Sequence, residues 1–102
     1  MDAKYKVEIF PRCTEFLEAI DNPDSSKMSS NISAMAAGDF VSVSTRKLRG
    51  KIRELKYKEY RLIFFIHKDI INFTNGFVKK TNKTPKREID YAEKIYKHVT
   101  NS

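Results

Sequence analysis

The stretch IRELKYKEYRLIFFIHKDIINFTNGF, residues 52–77, contains three runs rich in β-branched and aromatic residues. Two dipeptides, Lys58-Glu59 and Lys68-Asp69, separate the runs, which are Ile52–Tyr57, Tyr60–His67 and Ile70–Phe77. Separations of two residues between such runs are typical of β-hairpins. The stretch therefore predicts an antiparallel meander of three strands.

Strand-like and helical spacing flank this meander. Upstream, Tyr5–Phe10 alternates like a half-buried strand, and two helical segments follow, one beginning after Thr14 and one ending at Gly38. Downstream, Thr84-Pro85 predicts the N-cap and the first position of a C-terminal helix. Because 102 residues provide one small core, we expect a single α+β domain over residues 1–102. Its order is an N-terminal strand, a two-helix hairpin, the three-stranded meander and the C-terminal helix.

Charge is distributed unevenly along the chain. The formal net charge is +7, yet residues 1–45 hold seven acidic and four basic residues. Residues 46–102 hold sixteen basic and six acidic residues. This asymmetry indicates one positive face that binds a polyanion. A lysine-rich, solvated surface is the alternative interpretation.

The residues that the chain lacks exclude several classes of protein. Cys13 is the single cysteine, which rules out an intramolecular disulfide and a multi-cysteine metal cluster. The sequence has no Gly-rich phosphate loop, no HExxH motif and no obvious pair of metal-binding acids, so we expect neither a metal nor a cofactor. The longest apolar run, Leu62–Ile66, has five residues, and no apolar leader follows Met1. We therefore expect a cytoplasmic protein that does not bind membranes.

Basic residues concentrate in residues 46–56 and 77–85, with Arg61 on the strand between them. Alternate side chains share a face in an antiparallel sheet, so we expect Lys56 and Arg61 to face Lys79 or Lys80. Such cations would neutralise RNA phosphates and stabilise the phosphorane that forms when a 2′-hydroxyl attacks the adjacent phosphate. A lysine whose pKa is lowered by neighbouring cations would transfer a proton.

Other basic residues of these segments and of the final helix are expected to contact the RNA. They are Lys47, Arg49, Lys51, Arg53, Lys83 and Arg87. The alternative is that all these cations are solvated strand and loop residues without a common function.

Three stretches resemble the motifs of one protein family. KLRGKIRELK (residues 47–56) and YRLIFF (60–65) are similar to the K-L-x-G-x-L-x-E-L-R … Y-R-I-x-Y core of RelE/HigB-type toxins. FVKKTNKTPKREIDYA (77–92) is similar to the F-x-K-K-T-x-K-T-P-x-x-E-I-x-x-A stretch of the phage-derived HigB-like branch. Both motifs occur in the expected order.

The resemblance implies a RelE/ParE-like fold and the toxin of a type II toxin–antitoxin pair. Such a toxin is a metal-independent endoribonuclease that cuts mRNA on the ribosome and arrests growth until its antitoxin neutralises it. Arg61 then corresponds to the arginine that contacts the scissile phosphate, and Lys79 and Lys80 match a Lys-Lys pair near a catalytic basic residue. Lys56 stands where this branch usually has arginine. Glu54 matches a glutamate that serves as proton acceptor or as structural anchor.

The resemblance also implies partners and leaves other functions open. Arg87 and Tyr91 lie where some relatives place a functional basic or aromatic residue. The implied partners are a helix-turn-helix antitoxin, mRNA and the ribosome, with operator DNA bound only through the antitoxin. The alternatives are a ParE-like toxin that inhibits DNA gyrase without cutting nucleic acid, and an inactive relative that binds RNA or antitoxin. The cations favour the nuclease because metal-free cleavage needs fixed positive charge.

Overall fold

The computed structural model describes residues 3–101, which form five strands and three helices. The strands are β1 (Lys6–Ile9), β2 (Ser44–Arg49), β3 (Ile52–Tyr57), β4 (Tyr60–His67) and β5 (Ile70–Val78). The helices are α1 (Pro11–Glu18), α2 (Asp24–Ala36) and α3 (Lys86–Thr100). None of these helices is long and apolar enough to cross a bilayer. Met1, on which the expectation about a leader depends, lies outside the described residues.

One sheet with the strand order β1-β5-β4-β3-β2 forms the centre of the fold. β1 pairs with β5 in parallel, and every other pair of neighbours is antiparallel. The predicted α+β class and the meander of β3, β4 and β5 are confirmed. The N-terminal strand joins this meander at the β5 edge, because the helices α1 and α2 cross over one face of the sheet before β2 begins.

β2 is a strand that the apolar pattern does not predict. Its sequence is STRKLR, and it lies at the edge of the sheet, where it pairs with β3 alone. Charged side chains on an edge strand prevent it from pairing with another chain. Such a strand lacks the alternating apolar pattern by which strands are predicted. The antiparallel part of the sheet therefore has four strands, one more than predicted, and β2 brings its cations beside β3.

Both turns of the meander have a left-handed backbone without glycine or asparagine. Lys68 and Asp69 have φ values of 51° and 62°, and Lys58 has a φ of 53°. Positive φ at the centre of a two-residue turn matches the twist of the strands that it joins. The two hairpins form as predicted, although other residues adopt this conformation more readily.

Different helices cover the two faces of the sheet. On one face, Cys13 of α1 and Met28 of α2 pack with Leu62 and Phe64 in a buried core. On the other face, α3 packs over a smaller core that includes Ile63 and Phe65. Successive residues of β4 thus alternate between two cores, which explains why the strand is apolar throughout.

Two helices begin at residues other than those predicted. α1 begins at Pro11 rather than after Thr14, in agreement with the preference for proline in a first helical turn. α3 begins at Lys86 with Pro85 as its N-cap, a position that we expected for Thr84. The Thr84 hydroxyl donates instead to Oε1 of Glu54 at 2.8 Å. The buried carboxylate of Glu54 requires hydrogen-bond donors, so it binds the Thr84 hydroxyl that would otherwise cap α3.

Candidate active site

Strand register brings together five side chains on the face of the sheet that α3 covers. Arg46 of β2 pairs with Glu54 of β3. Lys56 of β3 pairs with Arg61 of β4, which pairs with Phe77 of β5. Paired residues share a face of the sheet, as do residues two apart in one strand. Glu54 also pairs with an isoleucine of the core beneath α3, so the five residues lie on the α3 side.

Glu54 is a buried carboxylate with only 1% of its side chain exposed. Its Oε2 accepts a hydrogen bond from Nε of Arg46 at 2.5 Å, and its Oε1 accepts one from the Thr84 hydroxyl at 2.8 Å. Nη2 of Arg46 lies 3.4 Å from the same hydroxyl. Pairing with a cation and a second donor offsets the cost of removing the carboxylate from water. Glu54 therefore fixes Arg46 and joins β3 to Thr84, two residues before the start of α3.

Arg61 is buried on the same face, with 9% of its side chain exposed. Its Nη1 donates to the backbone oxygens of Lys58 at 2.6 Å and Tyr60 at 2.9 Å. Its Nε lies 3.9 Å from Oε2 of Glu54 and, within residues 3–101, has no hydrogen-bond partner. An ion pair at that distance compensates only part of the desolvation of a guanidinium. Arg61 is therefore a cation that is held in place while its charge is only partly compensated within the fold.

Lys79 directly follows β5, and the charges of the residues described above act on its side chain. Burial lowers the pKa of its ammonium group, and the charges of Arg46, Arg61 and Lys56 lower it further, while Glu54 raises it. The backbone N–H of Lys79 donates to the backbone oxygen of Glu59 at 2.7 Å. The lysine thus gives up a proton more readily than an isolated lysine.

These residues form a cationic cluster, defined here as Arg46, Glu54, Lys56, Arg61, Lys79 and Thr84. Its four cations surround one buried carboxylate, so the cluster is positive overall and suits an anionic ligand such as a phosphate. An ammonium group with a lowered pKa beside such a ligand is able to protonate a leaving oxygen. Among residues 3–101, no three histidine, cysteine, aspartate or glutamate side chains are grouped so as to hold a metal ion.

The structure brings together three of the residues that the sequence analysis put forward as catalytic cations. Lys56, Arg61 and Lys79 lie in the cationic cluster, with Glu54 at its centre. Lys80 is exposed. Of the matched Lys-Lys pair, Lys79 is the one whose pKa is affected by Arg46, Glu54, Arg61 and Lys56. A catalytic role for Lys80 stays a prediction.

The residues expected to contact RNA are divided among several surfaces. Lys83 lines a pocket of about 290 Å³ that Arg46 and Thr84 also line, so it adjoins the cationic cluster. Lys47 lines the same pocket from the edge strand β2, but it pairs with Arg53 and so belongs to the other face of the sheet. Lys51 is exposed in the turn between β2 and β3. The other three, Arg49, Arg53 and Arg87, lie elsewhere.

Arg49 and Arg53, which we expected to contact RNA, lie outside the cationic cluster. Nη1 of Arg49 donates to Asp90 at 2.8 Å and to Glu93 at 3.0 Å, which ties β2 to α3. Arg53 pairs with a residue of the opposite core, Phe64, and so lies on the face away from the cluster. A prediction from charge alone does not separate cations that bind internal carboxylates from cations that are free for a ligand.

Arg87 lies on α3 in a different pocket, of about 490 Å³, lined also by Arg12 and Tyr91. The guanidinium of Arg12 stacks on the ring of Tyr91, with its carbon 4.0 Å from the ring centroid. Tyr91 thus packs against α1 of the same chain.

Sequence reasoning did not put forward Arg46 or Thr84 as members of the site. Arg46 belongs to the basic segment, but its strand was not predicted, so its neighbour could not be assigned. Thr84 was interpreted as an N-cap. The signal that could have found both is Glu54 itself, because a glutamate in the middle of a strand that is expected to pair with an apolar strand requires buried donors.

Comparison with known proteins identifies the family. None of the curated proteins compared with this chain matches it. The fold is similar to a RelB–RelE antitoxin–toxin complex from Methanococcus jannaschii, with a TM-score of 0.62, 12% identity and coverage of 82% of this chain and 96% of that one. It is also similar to an archaeal RelE–RelB complex from Pyrococcus horikoshii OT3, with a TM-score of 0.55, 12% identity and coverage of 74% and 96%.

Residues 15–97, most of the chain, match the family described as "Phage derived protein Gp49-like (DUF891)". This match confirms the resemblance to the phage-derived branch that the motifs indicated. The chain belongs to the phage-derived Gp49-like family, and it has the fold seen in RelE–RelB complexes.

Proposed function

We propose that this protein is the toxin of a toxin–antitoxin pair and a metal-independent endoribonuclease that cleaves mRNA on the ribosome. The observation that carries the proposal is the cationic cluster, in which backbone oxygens hold the guanidinium of Arg61 beside a lysine of lowered pKa. Fixed cations of this kind stabilise charge that develops on a phosphoryl group. The family match and the fold of the RelE–RelB complexes support the same function.

In the proposed reaction, the 2′-oxygen of a ribose bonds to the adjacent phosphorus while the bond from phosphorus to the 5′-oxygen breaks. The 2′-hydroxyl gives its proton to water, and the departing 5′-oxygen takes one from the ammonium group of Lys79. The guanidinium of Arg61, through its exposed edge, stabilises the negative charge of the phosphoryl oxygens, which is greatest in the phosphorane. The products are a 2′,3′-cyclic phosphate and a new 5′-hydroxyl end.

The other members of the cluster hold or extend this arrangement. Both oxygens of Glu54 already accept hydrogen bonds, so we assign it the role of anchor for Arg46 rather than that of proton acceptor. Lys56, opposite Arg61 in the register, adds charge without the two-pronged geometry of an arginine. Lys83, in the adjoining pocket, binds the RNA strand on one side of the cleaved bond.

A cognate antitoxin is the proposed protein partner. The solved structures with this fold are complexes of RelE with RelB. A basic surface favours a partner that presents acidic residues to it. We propose, on the motif resemblance, that the antitoxin is a helix-turn-helix protein and that operator DNA is bound through it.

The test is induction of the chain in bacteria, followed by mapping of new 5′ ends in mRNA. We expect growth arrest and cleavage within coding regions for the native sequence and neither for Arg61→Ala. The matched control is Arg12→Ala, which removes an arginine stacked on Tyr91, outside the cluster, and is expected to leave cleavage intact. Equal cleavage by native chain and Arg61→Ala would contradict the proposal.

The same cells distinguish the ParE-like alternative. Growth arrest with intact mRNA and a loss of plasmid supercoiling would assign the chain to gyrase inhibition. Neither arrest nor cleavage by the native chain would indicate the inactive relative.

A further inference from the structure

The turn between β3 and β4 binds both of the proposed catalytic cations through its backbone. Nη1 of Arg61 donates to the backbone oxygens of Lys58 at 2.6 Å and Tyr60 at 2.9 Å. The backbone N–H of Lys79 donates to the backbone oxygen of Glu59 at 2.7 Å. Three consecutive carbonyl groups thus fix the guanidinium of one residue and the main chain of the other. A movement of this turn would therefore change the position of Arg61 relative to Lys79.

On its other side, the same turn is bound by Asp24 in the first helical turn of α2. Oδ1 of Asp24 accepts a hydrogen bond from Nζ of Lys58 at 2.9 Å and lies 3.4 Å from the hydroxyl of Tyr57. Oδ2 lies 3.4 Å from the hydroxyl of Tyr60. The hydrogen bond from Lys58 lowers the pKa of Asp24 and raises that of Lys58, so both groups are charged at neutral pH.

The turn itself is a segment that requires external support. Lys58 has a φ of 53°, a conformation that costs energy for a residue with a side chain. Hairpin tips at a surface are also among the parts of a fold that move most easily. Asp24 supplies the support, because it contacts three side chains in and beside the turn, those of Tyr57, Lys58 and Tyr60.

We propose that Asp24 is a positioning residue: by holding the β3–β4 turn against α2, it keeps Arg61 and Lys79 in the arrangement that cleavage requires. The proposal rests on the proposed nuclease function, and it concerns a residue remote from the RNA. Displacement of a catalytic group by about 1 Å lowers rates by roughly a hundredfold, so the loss of this support has a large effect on the chemical step. Substrate binding, which depends on the whole basic surface, changes little.

The test compares Asp24→Asn with Asp39→Asn. Asp24→Asn keeps the shape of the side chain and removes its charge. Asp39 is the matched control because it is also a carboxylate at one end of α2 with a pKa lowered by hydrogen bonds, but its partner is Ser42 in the following loop. Each variant is assayed for single-turnover cleavage of an mRNA bound to ribosomes. Hydrogen exchange of the Lys79 amide and the pKa of the Lys79 ammonium group are measured by NMR on the free protein.

We expect Asp24→Asn to lower kcat about tenfold or more with KM within about twofold, and Asp39→Asn to change neither. We also expect faster exchange of the Lys79 amide in Asp24→Asn, and a Lys79 pKa that rises towards its ordinary value as the ammonium group moves away from Arg46, Arg61 and Lys56. Asp24→Glu, which restores the charge, should recover part of kcat.

A purely structural role would lower the melting temperature without these changes, and that result would overturn the proposal. Native-like exchange, pKa and kcat in Asp24→Asn would overturn it as well. If the native chain cleaves no RNA, the proposed function fails, and the two NMR measurements still decide whether Asp24 positions Lys79. If Asp24→Asn does not fold, Lys58→Gln removes the shortest of the Asp24 bonds and is judged by the same measurements.

Discussion

Arg61 and Lys79 differ in how the fold supports them, and this difference sets their chemistry. The guanidinium of Arg61 is held by backbone oxygens, which fix its position and leave its charge unchanged. Lys79 is held through its backbone N–H, while burial and three neighbouring cations lower the pKa of its ammonium group. The first arrangement suits a residue that binds a phosphate, and the second suits a residue that transfers a proton.

At the scale of single residues, the pH dependence of cleavage reports the pKa of Lys79. If its ammonium group protonates the leaving oxygen, the rate is constant below the pKa of Lys79 and falls as pH rises through that pKa. Because the pKa is lowered from 10.5, we expect the fall to begin below pH 10.5. The measurement is single-turnover cleavage from neutral to alkaline pH. Lys80→Ala should keep the same profile, and a profile unchanged in Lys79→Ala would contradict the assignment.

At the scale of secondary-structure elements, α1 is fixed to the sheet by a close approach at Gly76 of β5. A Cβ atom added at this position would overlap the ring of Phe16 and lie 2.9 Å from a methyl carbon of Leu62. Phe16 packs partly buried against the core on that face. The absence of a side chain at Gly76 thus lets α1 lie close to the meander that bears the cationic cluster.

We therefore expect Gly76→Ala to lower the free energy of unfolding by about 1–3 kcal/mol, the usual cost of an overpacked core. Urea denaturation followed by circular dichroism measures it. Phe16→Ala removes the ring that the new methyl group would meet, so the double variant should be less destabilised than the sum of the two single variants. Additive losses would show that the contact between Gly76 and Phe16 is not the cause.

At the scale of the whole molecule, the excess of basic residues in the second half of the chain is only partly available to a ligand. Arg49 and Lys86 bind Asp90, and Arg49 also binds Glu93. Lys47 and Lys83, by contrast, line the pocket beside the cationic cluster. The count of sixteen basic residues in residues 46–102 therefore overstates the number of cations that neutralise RNA.

The salt dependence of RNA binding tests this division. With a 2′-deoxy-substituted RNA that is not cleaved, the affinity should fall with increasing salt, and Lys83→Ala should reduce the logarithmic slope by about 0.7. Arg49→Ala should leave the slope unchanged, since its charge is matched by Asp90 and Glu93. Fluorescence anisotropy over a salt series provides the slopes. Equal effects of the two substitutions would indicate an undivided basic surface.

The sequence by itself determined the α+β class, the meander from Ile52 to Phe77 and the basic character of the second half of the chain. These properties depend on neighbours in sequence: the alternation of apolar residues, the spacing of turns and the density of charge. Lys56, Arg61 and Lys79 or Lys80 could be put forward for the same reason, because strand alternation places residues on faces. The family motifs added Glu54.

Only the tertiary structure decided which cations share a site and which serve the fold. The pairing of Arg46 with Glu54 depends on an edge strand without an apolar pattern, and the contact of Thr84 with Glu54 spans thirty residues. The binding of Arg49 by α3 and the support of the β3–β4 turn by Asp24 also join distant segments. Hydrogen bonds and ion pairs act over a few ångströms, so their partners are set by strand register and helix packing, which local sequence patterns do not contain.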